Sequence, residues 1–223
     1  MTDIPRTVVE LNNVYLESDR GAQIFNNLSF TLGAGRSALI IGAAGSGKTT
    51  LVELLVGERF AQSGSVEVFG NHLKHGATRV IKRVRKKVGG VGGIFALMPS
   101  LTVAENITFP LILTGHGRRF RQERLLKMLT EFSLLKRAGD YPRILTRVEN
   151  TLVQFARASV IHQPLMLIDE PLAGLDRATY QRIFDHLAAV SLSGRSMIIV
   201  SSEMTEGQLP NTDHYHLANG ILT

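Results

Sequence analysis

Cysteine is absent from the 223 residues, which excludes a disulfide framework and any thiolate metal site and fits a reducing compartment. No apolar run approaches membrane-spanning length, and the opening residues Met1-Thr2-Asp3-Ile4-Pro5-Arg6 carry no hydrophobic signal core. A soluble cytoplasmic protein is therefore expected. No internal repeat or low-complexity tract is present either. What the chain does have is 44% hydrophobic residues at a length that can bury a substantial core. Its formal charge is +6, with much of the excess in residues 79–87, 118–124 and 136–137. Such a surface can meet nucleic acid, anionic lipid or an acidic partner, or can simply be solvated.

One stretch organises the rest. Gly42-Ala43-Ala44-Gly45-Ser46-Gly47-Lys48-Thr49 fits G-x-x-x-x-G-K-[ST] without a mismatch. It lies between an apolar run, Ser37-Ala38-Leu39-Ile40-Ile41, and a helical pattern over residues 50–56, beginning at Thr50. Glycines let backbone N–H groups turn inward around a phosphate, and the following helix adds the positive end of its dipole. Lys48 is expected at the β- and γ-phosphates, and the Thr49 hydroxyl at the Mg²⁺ that travels with a nucleotide.

Upstream, Val8-Val9-Glu10-Leu11 and residues 23–30 read as two strands joined by the polar turn Glu17-Ser18-Asp19-Arg20-Gly21. Residues 64–70 read as a short strand bounded by turns, and the basic run 79–87 suits the edge of a helix or a strand. Val88-Gly89-Gly90-Val91-Gly92-Gly93 reads as a hinge, because its glycines give up backbone order. A helical pattern begins at Leu101 and is interrupted by Pro110; further helices are expected over 122–132 and from about Glu149 to His162.

The apolar run Leu165-Met166-Leu167-Ile168 delivers Asp169 and Glu170 at its carboxyl end, where an open α/β sheet places ligand chemistry. Asp169 is a candidate Mg²⁺ ligand, usually through water, and Glu170 a candidate base for an attacking water. Asp176 reads as the N-cap of a helix over 177–193, and Ser196-Met197-Ile198-Ile199-Val200 as the next buried strand.

Taken in order, the phosphate loop, Leu101-Thr102-Val103-Ala104-Glu105-Asn106, Tyr141-Pro142, Phe155-Ala156-Arg157-Ala158, Asp169-Glu170-Pro171 and Ala173-Gly174-Leu175-Asp176 resemble the ATP-binding subunits of ABC transporters. The likeness is nearest to small prokaryotic subunits serving cell division, lipoprotein release or lipid trafficking. It implies an α/β P-loop NTPase fold: an ABC-type ATPase core with an antiparallel β subdomain and a helical lobe. Residues 1–223 would form a single ATP-binding domain, with 1–92 and 158–223 as core and 93–157 as lobe. It implies ATP and Mg²⁺ as cofactors, membrane-spanning permease subunits as partners, and a place on the inner face of the cytoplasmic membrane.

The resemblance also implies a head-to-tail dimer, with each ATP held between one protomer's phosphate loop and the other's Leu-Ser-Gly-Gly-Gln signature. Leu145-Thr146-Arg147-Val148-Glu149 stands at that signature here, retaining only the leucine and a hydroxyl. Gly93 stands where the family has a glutamine, and Ser202 where it has a switch histidine. Tyr15 is a candidate for stacking on adenine, with Leu16 or Ser18 at the expected position depending on a one-residue gap. The groups that bind nucleotide within one protomer are kept and those reaching across a dimer are altered. The expectation is ATP binding with slow or partner-dependent turnover, in a homodimer or in a heterodimer with an intact paralogue. The competing reading is a non-catalytic regulatory or scaffolding subunit. A nucleic-acid-linked ATPase is disfavoured by the absence of a sustained heptad run, and a small-molecule kinase by the order of the acidic motifs.

Overall fold

The computed structural model describes residues 6–170, 175–203 and 207–223; residues 1–5, Pro171 and the Ala173-Gly174 pair discussed above lie outside the described residues. Two sheets carry the chain. The first is antiparallel, in the order β2-β1-β4-β5, from β1 (Thr7–Glu17), β2 (Gln23–Gly33), β4 (Ser63–Val68) and β5 (Asn71–His72). The second contains β3 (Ser37–Ile41), β6 (Val88–Val91), β7 (Leu165–Asp169), β8 (Ser196–Ser201), β9 (Thr212–Ala218) and β10 (Ile221–Leu222), in the order β10-β9-β3-β8-β7-β6. All its pairings are parallel except the closing β9–β10 hairpin.

The central strands are apolar on both faces because both faces are covered. On one side Ala38, Ile40, Leu165, Leu167, Ile198 and Val200 pack with α1 (Lys48–Val56), α2 (Thr78–Arg85) and the antiparallel sheet. On the other, Leu39, Met166, Ile168, Met197 and Ile199 pack with α3 (Val103–Leu113), α4 (Arg118–Glu131), α5 (Arg147–Ser159) and α6 (Arg177–Leu192). A period of two therefore divides each strand between two cores.

Two sequence expectations are corrected here. The stretch read as a hinge is an edge strand over Val88–Val91, paired in parallel with Leu165–Ile168. Its glycines answer to close packing: a Cβ on Gly89 would lie 2.6 Å from the Ala158 carbonyl oxygen, and one on Gly90 would enter the Phe95 ring. Likewise α3 runs through Pro110 to Leu113. The proline removes one N–H donor, while Val103, Ile107 and Leu111 are fully buried and hold that face on the core. The basic run 79–87 is resolved as the helix α2 followed by a turn, and Asp176 caps α6 as expected, accepting from the N–H groups of Ala178 and Thr179.

Candidate functional site

The strand order brings three carboxyl ends together. β8 lies between β3 and β7, so the loop leaving Ile41, the acids ending β7 and the residues after Ser201 meet at one edge. Backbone bonds tie them: Gly42 N–H donates to Ser201 O at 3.1 Å, and Glu170 N–H to Val200 O at 3.0 Å.

Residues Gly42, Ala43, Ala44, Gly45, Ser46 and Gly47 form the loop, and Lys48, Thr49 and Thr50 open α1. Gly47 is the N-cap residue, with φ of 100°. A Cβ there would be left-handed and 3.0 Å from both Ile24 and Phe25 of β2. Those two apolar side chains, which press the loop into shape, carry no motif that would have marked them. α1 begins without a side-chain cap and without an acid in its first turn, whereas α3 and α5 each begin with a reciprocal Thr–Glu capping box. The first N–H groups of α1 are thus left for an anion.

Lys48 is 6% exposed and donates through Nζ to the carbonyl oxygens of Gly42 (2.8 Å) and Ala43 (2.9 Å). It also lies 3.3 Å from Glu170 Oε1. The other carboxylate oxygen of Glu170 accepts from Ser202 N–H and from Ser202 Oγ, each at 3.0 Å. Glu170 itself sits at φ 52°, a backbone region that non-glycine residues seldom occupy. The side chain at the expected switch position is therefore spent on the neighbouring acid.

Asp169 is buried, and burial pushes its carboxyl above the ordinary value against the opposing hydrogen bond from Thr49; the Glu170 charge raises it further. Among the described residues its Oδ1 has no hydrogen-bond partner, and neither does the buried Ser46 Oγ. An orphaned carboxylate oxygen beside a threonine hydroxyl is the donor set that a hard divalent cation takes. Because the raised group favours the protonated form in the fold, its stabilising effect is complete in acid and is lost as pH rises through the shifted value. Asp169→Asn is accordingly expected to raise the melting temperature of the ligand-free chain at neutral pH, the gap over the parent closing as pH falls towards about 4. Thermal melts across that range check it.

Gly92 and Gly93 pass directly over Asp169. Gly92 N–H donates to Gln154 Oε1 of α5 at 2.6 Å, and a Cβ on Gly93 would strike the Asp169 carboxylate. Gln154 thus steadies the loop against the acid, a connection between positions 62 residues apart that no local pattern reveals. Tyr15 lies on β1, opposite in pleat to the buried Val14 and Leu16, and its hydroxyl donates to Glu17.

At the signature position, Thr146 caps α5 and the Glu149 carboxylate folds back onto Thr146 N–H (2.8 Å) and Oγ (3.0 Å). Arg137 Nε holds the other oxygen of Glu149 at 2.7 Å. These bonds hold the Glu149 carboxyl below its usual range, the backbone N–H of Thr146 foremost.

The sequence model of the ABC transporter family matches residues 25–173. The cell division ATP-binding protein FtsE of Bacillus subtilis (strain 168) is 27% identical over 194 residues, 87% of this chain and 85% of that protein. The lipoprotein-releasing system ATP-binding protein LolD of Bordetella avium (strain 197N) is 31% identical over 218 residues, 95% and 93% of the two chains. In fold, the chain is similar to the ATP-binding cassette MJ0796, solved as a dimer bound to ADP and Pi, with a TM-score of 0.86 and 24% identity over 96% of each chain. A phosphate loop, an uncapped helix start and paired acids at one sheet edge, set within this match, leave one conclusion: the chain belongs to the ABC transporter family, as an ATP-binding subunit.

Proposed function

We propose that this chain binds Mg-ATP at the edge formed by β3, β7 and β8, as the nucleotide-binding component of a membrane ABC complex, and that it turns ATP over slowly or only beside an intact paralogue. The observation that carries this reading is the buried Lys48 beneath an uncapped α1, with Asp169 and Glu170 across from it. Gly42, Ala43, Ala44, Gly45, Ser46, Gly47, Lys48, Thr49 and Thr50 would hold the phosphates, and Thr49 and Asp169 the Mg²⁺, which offsets phosphate charge. Tyr15 remains the candidate for the base. Glu170 would accept a proton from water, an assignment favoured by its fixed orientation between Lys48 and Ser202.

Heterodimerisation is favoured by the state of α5. Its first turn already holds a carboxylate of its own chain, so the helix start that the family offers to a partner's γ-phosphate is occupied by Glu149. An intact paralogue would supply that function for this chain's nucleotide. A membrane-spanning partner would dock in the groove of about 310 Å³ bordered by Ile94, Phe95, Met98, Phe109 and Pro110, in the region between the proposed core and helical lobe. Peripheral attachment through that partner agrees with the described residues, where no helix is long and apolar enough to cross a membrane.

The second reading, a non-catalytic ATP-binding scaffold, is favoured by the same Glu149 cap and by Ser202 standing in for an ionisable side chain. Turnover separates the two. With the paralogue added, ATP hydrolysis should rise above background and fall about 10²–10³-fold in Glu170→Gln. A rate that stays at background and ignores that substitution overturns the motor reading and leaves the scaffold. In calorimetry, Asp169→Asn should weaken the Mg-dependent part of ATP affinity about tenfold.

A further inference from the structure

A second concentration of positive charge lies at the amino ends of the parallel strands, opposite the phosphate loop. Arg195 directly precedes β8 and is 7% exposed. Its Nε donates to Gln163 O at 2.7 Å, but one terminal guanidinium nitrogen is buried with no hydrogen-bond partner among the described residues. A cavity of about 150 Å³ opens beside it among α4, α5 and α6, bordered by Arg124, Lys127, Glu131, His162 and His186. A neighbouring hollow of about 270 Å³ shares Arg195 and His162 and adds Lys87.

The balance of charge in the first cavity is uneven. Among the described residues its one carboxylate, Glu131, is engaged by His186 Nδ1 at 2.6 Å, and His186 Nε2 in turn meets Ser159 Oγ at 2.7 Å. Arg124 is pinned by its bonds to the carbonyls of Val160 (2.8 Å) and Ser159 (3.0 Å), so its charge cannot swing away. Burial pushes the Arg195 guanidinium down to about 10, with Arg124 adding to the effect. Burial, and then Arg124, Arg195 and Lys127, hold His162 below its ordinary value, so the imidazole adds no charge at neutral pH. Three permanent cations thus face one carboxylate that is already paired. A guanidinium buried beside other cations is costly, and an anion in the cavity would offset that charge.

The geometry points to a second anion site, in which a soluble phosphate-bearing small molecule sits in the cavity, bonded by Lys127 in the combined field of Arg124 and Arg195. Phosphate suits the three cations better than a carboxylate, because it brings a second negative charge and several acceptor oxygens. The cations border a cavity rather than a track along the surface, which is the wrong shape for a nucleic-acid backbone. The site lies at the opposite end of the strands from Lys48 and stands whether or not the nucleotide reading holds.

Calorimetric titration of inorganic phosphate at constant ionic strength tests it, using the full chain carrying Lys48→Ala so that the phosphate loop contributes little. That chain should still bind phosphate, and adding Lys127→Glu should weaken binding at least about tenfold. Lys127 is exposed and leaves the fold undisturbed, whereas a change at Arg195 risks unfolding. Loss of all phosphate binding with Lys48→Ala, or an affinity indifferent to Lys127→Glu, overturns the site. So does Lys127-dependent pelleting with phosphatidylcholine–phosphatidylglycerol vesicles in a chain that ignores free phosphate.

Discussion

Lys48→Ala is expected to lower the affinity for Mg-ATP about 100-fold or more while the chain stays folded, as read by calorimetry and by an unchanged far-ultraviolet circular dichroism spectrum. The size follows from what the ammonium does. Held at 6% exposure by the carbonyls of Gly42 and Ala43, it is preorganised beside the uncapped start of α1, so little ordering entropy is lost when phosphates arrive. Hydrogen bonds between ionised partners contribute about 1.5–3 kcal/mol each, and losing two of them corresponds to about 10²–10⁴ in affinity. The fold should survive because the core beneath α1 is made by Leu51, Val52, Leu54 and Leu55, none of which moves. An affinity lowered less than about tenfold would remove Lys48 from the phosphate site.

Gly92→Ala should cost about 3–4 kcal/mol of folding stability, seen as a lower midpoint in urea with an unchanged slope. At φ 82° an alanine pays about 1–2 kcal/mol for its left-handed backbone, and its Cβ would be driven into the Asp169 carbonyl oxygen at the end of β7. Relieving that overlap moves the backbone at the sheet edge, a further cost of about 1–3 kcal/mol. Gly76→Ala is the control. Its φ is 81° but nothing lies within 4 Å of the added carbon, so only the backbone part, about 1–2 kcal/mol, should appear. Equal losses in the two variants would mean that the close approach to Asp169 carries no weight.

The phosphate loop and the strand before it were legible because both obey local rules: a fixed spacing of glycines and a lysine, and an unbroken apolar run whose ends coincide with β3 at Ser37–Ile41. The acids after β7 and the Asp176 cap were legible for the same reason. The edge strand at Val88–Val91 was not, since glycine demanded by tight packing and glycine that gives freedom look alike until Ala158 and Phe95 are seen pressing on it. The last two strands left a signal that the sequence reading passed over: Asn219-Gly220, both at positive φ, turn β9 into β10. Other relations had no local signal at all. Ser202 meets Glu170 only because β8 is laid beside β7, and Gln154 meets Gly92 only because α5 packs under the sheet edge.

The ammonium that bonds the carboxylate of Glu170 is the same one that an incoming terminal phosphoryl would claim. On the proposed reading, nucleotide entry would therefore be a displacement, in which one anion evicts another from a shared cation while the bond from Ser202 holds the evicted group near. Glu170, ion-paired to Lys48, would then be released on the side where the phosphoryl arrives. On the proposed reading, release of the acid would be coupled to occupancy within a single chain, before any contribution from a paralogue.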